Sequence, residues 1–280
     1  MKKLTLLFIY FTLSTPILSQ NKIDDQTSAI VTEGKQLYRS ELASWYGTDL
    51  FFEKLNDKKA KVAGYFSYSE KSISKCVFFS TDATPKVLAT ISFDSTYNTQ
   101  TALVDGTERA FSNSEADLYS IRKQALAEIN SDTIFKSYTN TSLNLIPIIS
   151  GSEKKVYVLT GPEKTGVVIL GNDYLLTFNK QNQLLSKKRL HKNIIPINYA
   201  KTPEEKVVTM HTHLPETGDF ITATDICTLM LYEKFANWEQ HIVMSENYIN
   251  IWDCHKDILA VLTKEAWDNI NKARNERKKN

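Results

Sequence analysis

Short stretches rich in β-forming residues, separated by turn signals and by a few helical patterns, are the feature that most constrains the fold of this chain. Three such stretches follow one another at residues 62–68, 74–80 and 87–93, and a fourth short one is expected at 101–104. A helical pattern then covers residues 112–130, where apolar side chains recur at helical spacing. Strands followed by helices, without strict alternation, indicate the α+β class.

The second half of the chain continues in the same way. Residues 172–178 and 184–191 flank a polar turn and predict a β-hairpin, and residues 207–210 predict a further strand. Helices are predicted over residues 222–238 and 255–271. We therefore predict two units: an N-terminal α+β domain over residues 34–140, and a C-terminal domain over residues 142–275 with a mixed sheet and flanking helices.

The first residues have the pattern of a secretory signal. Lys2 and Lys3 precede an apolar core over residues 4–13, and a break with small residues follows. We predict a signal peptide over residues 1–19, cleaved near Ser19, and a mature chain that is secreted or periplasmic and has no membrane span. Residues 20–35 are polar and are expected to be loose, and a short helix is expected to begin near Gly34 and to turn at Gly47.

Charge and cysteine content limit the possible partners. The formal net charge is +2 at pH 7, and the basic cluster at residues 272–279 is typical of a solvated helix end, so a nucleic-acid partner is not expected. The three cysteines are an odd number, which rules out a disulfide-dense scaffold. They are expected either to be small buried residues or to include one bridge, between Cys227 and Cys254.

The strongest chemical signal is the pair His211 and His213, one residue apart at the end of an apolar run. On a strand, alternate side chains point to the same face, so the two imidazoles project together. A short polar loop follows, and then Asp225 near the start of a predicted helix. Imidazole and carboxylate groups are ligands that zinc accepts, so these three residues predict a metal site with its fourth position open to water.

Asp225 also has a second interpretation. Thr222 and Asp225 form a pattern typical of a helix-capping box, which explains the aspartate without any metal. The remaining histidines, His191, His241 and His255, each lie at the border of a predicted element and are interpreted as surface or packing residues.

The motif from His211 to Asp225 resembles that of the JAB/MPN metallopeptidase family, also called JAMM, whose pattern is His-x-His-Pro, a short loop and Ser-x-x-Asp. The resemblance implies that His211, His213 and Asp225 bind zinc, and that Thr222 stands where the family has a serine that positions the reacting carbonyl. It further implies an upstream general base, for which Glu163 is the candidate; the alternative is that Glu163 belongs to an ordinary exposed turn. Leu214 lengthens the loop by one residue.

Two functions remain open at this point. The resemblance implies an exported zinc-dependent hydrolase that cleaves amide bonds, peptide or isopeptide, in a peptide or a peptide-containing polymer. The alternative is a non-catalytic secreted binding or scaffold protein that retains a degenerate metallopeptidase-like fold.

Overall fold

The computed structural model describes residues 15–199 and 206–277, with side chains from residue 22 onward. The predicted signal peptide therefore lies largely outside the described residues. Within them the chain forms four α-helices and fourteen strands, so the predicted α+β class is confirmed. In this part of the chain, no helix combines the length and apolar character needed to cross a membrane.

A single long helix, α1 (Thr15–Lys54), occupies the region that was expected to be loose or to turn. Both expectations were wrong. Gly47 lies inside the helix, where a Cβ atom would come within 2.6 Å of the Cys76 Cβ, so this glycine permits close packing and does not break the helix. The polar N-terminal part of α1 is stabilised by tertiary packing, which helical periodicity alone does not reveal.

The predicted strands that follow are confirmed. β1 (Val62–Glu70), β2 (Ile73–Ser80), β3 (Val87–Phe93) and β4 (Leu103–Asp105) form an antiparallel sheet in sequence order, and a short 3₁₀-helix (Asn56–Lys61) precedes them. α1 packs on this sheet, and Phe51 stacks on Phe78 at 4.1 Å between ring centroids.

The predicted helix and β-hairpin of the central region are also present, together with further strands. α2 (Asn113–Ser131) begins at a capping box formed by Ser112 and Glu115. A second antiparallel sheet has the order β5-β6-β8-β9, and β7 and β10 pair separately. Their bounds are β5 (Thr141–Ser150), β6 (Glu153–Pro162), β7 (Val167–Gly171), β8 (Tyr174–Phe178), β9 (Leu184–Arg189) and β10 (Ile194–Asn198).

The last part of the chain contains the parallel pair that positions the histidines. β11 (Val207–Thr212) is connected through α3 (Ala223–Ala236) to β12 (Trp238–Met244), which lies parallel to it. β13 (Tyr248–Asp253) and β14 (Ile258–Thr263) extend this sheet in antiparallel fashion, and α4 (Lys264–Arg277) follows.

One helix prediction in this region was wrong. Residues 255–271 were expected to be helical, but the apolar run from Ile258 is strand β14 and pairs along the whole of β13. Only α4 is helical, and none of its residues is buried. A short apolar run is compatible with either a helix or a strand. Here the backbone hydrogen bonds that it forms with β13 stabilise the strand.

α1 contributes to cores on both sides of the predicted division between domains. Phe51 belongs to the hydrophobic cluster over β2 and β3, and Leu42 packs against that cluster. Leu37 belongs to a different cluster, which contains Ile146 of β5 and Cys227 of α3. The three cysteines are buried and free, which confirms the interpretation as small buried residues.

Candidate metal centre

His211 and His213 are brought together by strand geometry. His211 lies in β11 and His213 directly follows it, so both side chains project from the same face. The backbone N–H of His213 donates to the carbonyl of Met244 at 2.8 Å, which continues the pairing with β12 beyond the end of β11. Both residues are buried, with 5% and 7% of their surface exposed.

Asp225 reaches the same place from the helix that follows. α3 begins beside the end of β11, and Asp225 lies in its first turn. The hydroxyl of Thr222 donates to Asp225 Oδ2 at 2.8 Å and accepts the Asp225 backbone N–H at 3.1 Å. The capping box is therefore present, and it also fixes the aspartate side chain. The helix cap therefore leaves the aspartate within the histidine cluster, so the two interpretations of Asp225 are compatible.

His191 joins these three residues. It lies just after β9, where the backbone N–H of Leu190 donates to the carbonyl of Asp173 at 2.8 Å and holds this segment against the start of β8. His191 is 6% exposed, so it is not the surface residue that was one of its two interpretations. One ligand atom from each of His191, His211, His213 and Asp225 lies within 4.8 Å of the others, so this buried cluster can hold a metal ion.

Four separations within the group are near those expected around a tetrahedral ion, and they involve both oxygens of Asp225. His191 Nε2 lies 3.1 Å from His213 Nε2 and 3.5 Å from Asp225 Oδ2. Asp225 also lies 3.3 Å from His213 Nε2 and, through Oδ1, 3.8 Å from His211 Nε2. Bonds of about 2.0–2.1 Å around a tetrahedral zinc ion separate neighbouring ligand atoms by roughly 3.3 Å.

Three buried atoms of the cluster residues have no hydrogen-bond partner among the described residues: His211 Nε2, Asp225 Oδ1 and His213 Nδ1. The first two lie 3.8 Å apart. A buried polar atom without a partner costs free energy of desolvation, on the order of 1–3 kcal/mol. A cation between His211 Nε2 and Asp225 Oδ1 would satisfy these two atoms, whereas His213 Nδ1 would still lack a partner.

Further polar groups orient two of the imidazoles. His191 Nδ1 lies 3.1 Å from Asp173 Oδ2, so a proton on Nδ1 leaves Nε2 free as a ligand. His211 Nδ1 lies 2.8 Å from His241 Nε2, and His241 Nδ1 lies 2.7 Å from the hydroxyl of Thr209. Since Thr209 pairs with His241 across the two parallel strands, this chain of hydrogen bonds follows from the sheet register.

The pKa values of His191 and His211 are shifted in opposite directions by their surroundings. Burial disfavours a charged imidazole at His191, but the carboxylates of Asp225 and Asp173 outweigh it and raise the pKa of His191 to about 10, so without a metal its Nε2 carries a proton that a bound ion would have to displace. Burial lowers the pKa of His211 to about 4, so His211 is neutral and can act as a ligand. His191 and His211 outweigh the burial of Asp225 and hold the pKa of its carboxyl well below its usual range.

The candidate general base lies apart from this cluster. Glu163 is exposed on the turn between β6 and β7, and its backbone N–H donates to the carbonyl of Asn140 at 3.0 Å. Asp173, which contacts His191, follows the opposite end of β7. The five residues of β7 span roughly 13 Å. The cluster therefore brings together the three predicted ligands, His211, His213 and Asp225, while Glu163 is not among its members.

Sequence reasoning missed His191, His241 and Asp173. Their signal was present only in part, since His191 ends a predicted hairpin and Asp173 lies near its start. Antiparallel pairing brings the two ends of a hairpin together, so the proximity of this histidine and aspartate could be expected, although Leu190 is the residue opposite Asp173. Their approach to His213 depends on tertiary structure that the sequence pattern does not contain.

Comparison of the chain with protein-family models, with curated proteins and with solved structures finds no match in any of the three. The resemblance to the JAB/MPN family therefore rests on the motif from His211 to Asp225 alone.

Proposed function

We propose that this chain is a zinc-binding protein in which His191, His211, His213 and Asp225 hold one ion in a closed tetrahedral site. The observation that carries the proposal is the convergence of four buried ligand atoms around a centre where two of them otherwise have no partner. Three imidazoles and one carboxylate in tetrahedral arrangement suit zinc, whereas magnesium and calcium favour sites built from oxygen ligands alone.

A closed site favours a non-catalytic role over hydrolysis. Catalytic zinc keeps three protein ligands and leaves the fourth position to water, whereas structural zinc is closed by four. In this chain His191 takes the position at which the JAB/MPN resemblance implies water. No carboxylate outside the ligand set other than Asp173 contacts the four ligands among the described residues, and Asp173 is occupied by His191. We therefore infer a binding or scaffold protein that retains a metallopeptidase-like zinc site, exported as residues 1–19 suggest.

Amide hydrolysis is the second candidate, and one observation favours it. His211, His213 and Asp225 meet as the family resemblance requires, with Thr222 beside the aspartate. Hydrolysis of a peptide or peptide-containing polymer at this site requires His191 to leave the metal so that water can bind. The two candidate functions thus differ in whether water can replace His191 at the fourth coordination position of the metal.

Metal analysis of the full chain, purified without a histidine tag, tests the zinc proposal. We expect about one zinc per chain, loss of that zinc in His211→Ala, and zinc bound with lower affinity in His191→Ala, where His211, His213 and Asp225 remain. His255→Ala is the matched control, because His255 is exposed and outside the cluster, and it should keep the metal. A folded wild-type chain that takes up no zinc from a zinc-containing buffer would overturn the proposal.

Cobalt substitution separates the two candidates. Cobalt(II) in a closed tetrahedral site gives a visible spectrum that added azide does not change, since no position is free. We expect this for the wild-type chain, and an azide-dependent spectrum for His191→Gly, in which the fourth position is open. An azide response in the wild-type chain would instead favour the hydrolase.

A further inference from the structure

A cavity of about 550 Å³ on the side of α1 facing β1, β2 and α3 carries an unusual concentration of positive charge. Its lining includes four cations and one carboxylate, a net charge of +3, although the whole chain carries only +2. The charged side chains of the lining are Lys35, Arg39, Lys71, Lys234 and Asp257.

These cations come from three separate elements. Lys35 and Arg39 lie one turn apart on α1, Lys71 lies in the turn between β1 and β2, and Lys234 lies in the last turn of α3. The fold therefore assembles the cluster, and no single helix face or basic run in the sequence accounts for it. Like charges gathered around one cavity give it a positive potential that attracts anions.

None of the four cations forms an ion pair with a carboxylate among the described residues. Lys35 lies over the ring of Trp252, with its Nζ 6.0 Å from the ring centroid. The neighbouring cavity of about 520 Å³ provides a contrast within the same molecule. Its two cations are both neutralised, Arg109 by Glu115 at 2.6 Å and Lys75 by Glu70 at 2.6 Å.

The rest of the lining consists mainly of hydroxyl groups. Tyr97 and Ser74 are buried and hydrogen-bonded to each other at 2.7 Å, so part of the wall is fixed. Two apolar side chains, Leu42 and Met230, complete the set. The further hydroxyl-bearing residues of the lining are Tyr38, Ser69, Ser72, Ser95 and Thr96.

We propose that this cavity binds a small hydroxylated molecule bearing a phosphate or sulfate group, such as a phosphorylated or sulfated sugar. The lysines and the arginine supply charge-assisted hydrogen bonds to the tetrahedral oxyanion, and the hydroxyl groups pair with the sugar. A volume of this size accommodates such a ligand, since small-molecule sites commonly measure about 300–1,000 Å³. The site is separate from the metal centre, because none of the four metal ligands lines it.

Isothermal titration of the full, zinc-loaded chain at low ionic strength tests this proposal with three probes: glucose 6-phosphate, glucose 6-sulfate and glucose. We expect one or both anions to bind, and glucose to show no binding. Affinity for the anion should fall as salt is added, because the cations are largely exposed and screened by ions. Comparison of the two anions identifies which oxyanion the cavity prefers.

Paired charge removals locate the site. The double substitution Lys35→Gln, Lys234→Gln should weaken anion binding at least tenfold. Lys180→Gln, Lys188→Gln is the matched control, since it removes two exposed charges from β8, β9 and their turn, and it should leave binding unchanged. Melting curves of both variants show that they are folded.

Three outcomes would overturn the proposal. The first is absence of binding of both anions at millimolar concentration, and the second is equal binding by the two double variants. The third is loss of binding when zinc is removed from a chain that stays folded, since this would assign the anion to the metal. That third outcome would also contradict a closed metal site, whereas the first two leave the zinc proposal untouched, so the anion proposal can fail without the zinc proposal.

Discussion

In the proposed metal centre, zinc affinity would depend also on residues that are not ligands themselves. His241 is fully buried, and burial lowers its pKa to about 3, so it is neutral and accepts the Nδ1 proton of His211 through Nε2. Asp173 accepts the corresponding proton of His191. Such hydrogen bonds orient an imidazole ligand and raise its basicity, so they contribute to metal affinity.

Removal of the support at His241 should therefore weaken zinc binding without removing a ligand. We expect His241→Ala to raise the dissociation constant for zinc by about 10- to 100-fold. The constant is measured by competition with a chelator of known affinity. Lys256→Ala, an exposed substitution outside the cluster, is the control. An unchanged dissociation constant in folded His241→Ala would show that His241 fills space and has no role in orienting His211.

The two roles of Asp225 can be separated through its partner. Thr222→Ala removes the helix cap but no ligand, so we expect it to cost about 1 kcal/mol of unfolding free energy and to keep one zinc per chain. Asp225→Asn retains an oxygen for the cap but lacks the charge of the carboxylate, and it should lose zinc. Denaturant unfolding and metal analysis on both variants check this. Retention of zinc by Asp225→Asn would remove the aspartate from the ligand set.

At the residue scale, the sequence predicted the ligands that local geometry determines. His211 and His213 are linked by strand periodicity, and Asp225 by its place at a helix start, so three ligands could be proposed without a structure. His191 is separated from His213 by two strands, and only tertiary packing brings their Nε2 atoms to 3.1 Å. No spacing rule connects them.

At the scale of elements, the contact between α1 and α3 positions one ligand. Gly34 of α1 lies against the first turn of α3, where an added Cβ would come within 2.7 Å of the Ile226 side chain and 3.0 Å of the carbonyl oxygen of Ala223. Ala223 and Ile226 flank Asp225 in that turn. A displacement of α3 at this point therefore displaces the aspartate.

We expect Gly34→Ala to lower the unfolding free energy by about 1–3 kcal/mol through overpacking, partly offset by the better helix propensity of alanine. It should also weaken zinc binding. Gly161→Ala is the matched control, because the only atom within 4.0 Å of its added Cβ is the hydroxyl oxygen of Ser142. Thermal unfolding and chelator competition measure both effects. A stabilised Gly34→Ala chain would show that α1 and α3 are loosely packed.

A second contact between elements is sensitive to pH. Glu41 of α1 is buried against β5, where the amide of Asn144 donates to its carboxylate. Burial raises the pKa of Glu41 to about 7, although Asn144 and the charge of Arg122 oppose the shift. The folded chain thus binds this proton more tightly than the unfolded chain. The stability from this group is complete below about pH 4.5 and is lost as the pH rises through about 7.

Glu41→Gln keeps an oxygen for Asn144 and removes the ionisation. Relative to the wild-type chain, it should therefore become more stable as the pH is raised from 5 to 8, by on the order of 3 kcal/mol. Urea unfolding of both chains at the two pH values measures the difference. A difference that does not change with pH would mean that Glu41 ionises normally in the folded state.

Elements whose sequence shows a clear helical or strand periodicity were predicted well. Elements whose structure depends on contacts with neighbouring elements were not. Strands β1, β2, β3, β8, β9 and β11 follow from β-forming residues between turn signals. α1 and β14 do not, because the polar start of α1 is held by packing on α3 and β14 by pairing with β13. Propensity describes a segment by itself, and both segments obtain their stability elsewhere.

At the scale of the whole molecule, the four proposed metal ligands come from segments that are distant in the chain. His191 follows β9, His211 and His213 end β11, and Asp225 begins α3. The sheet β1-β2-β3-β4 supplies no ligand and has its own core around Phe78 and Ile91. Zinc should therefore stabilise the second half of the chain directly, and affect the first half only through α1.

Hydrogen exchange with and without a chelator tests this division. We expect zinc removal to reduce the protection of amides in residues 171–173, 190–194 and 221–226, and to leave residues 73–80 and 87–93 protected. The reason is that a ligand bound only to the folded form stabilises the structure that its binding residues share. His211→Ala without chelator should give the same pattern, and wild-type chain with chelator and excess zinc restores protection. Equal loss of protection in both halves would show that the molecule unfolds as one unit when the metal leaves, with α1 carrying the effect to the first sheet.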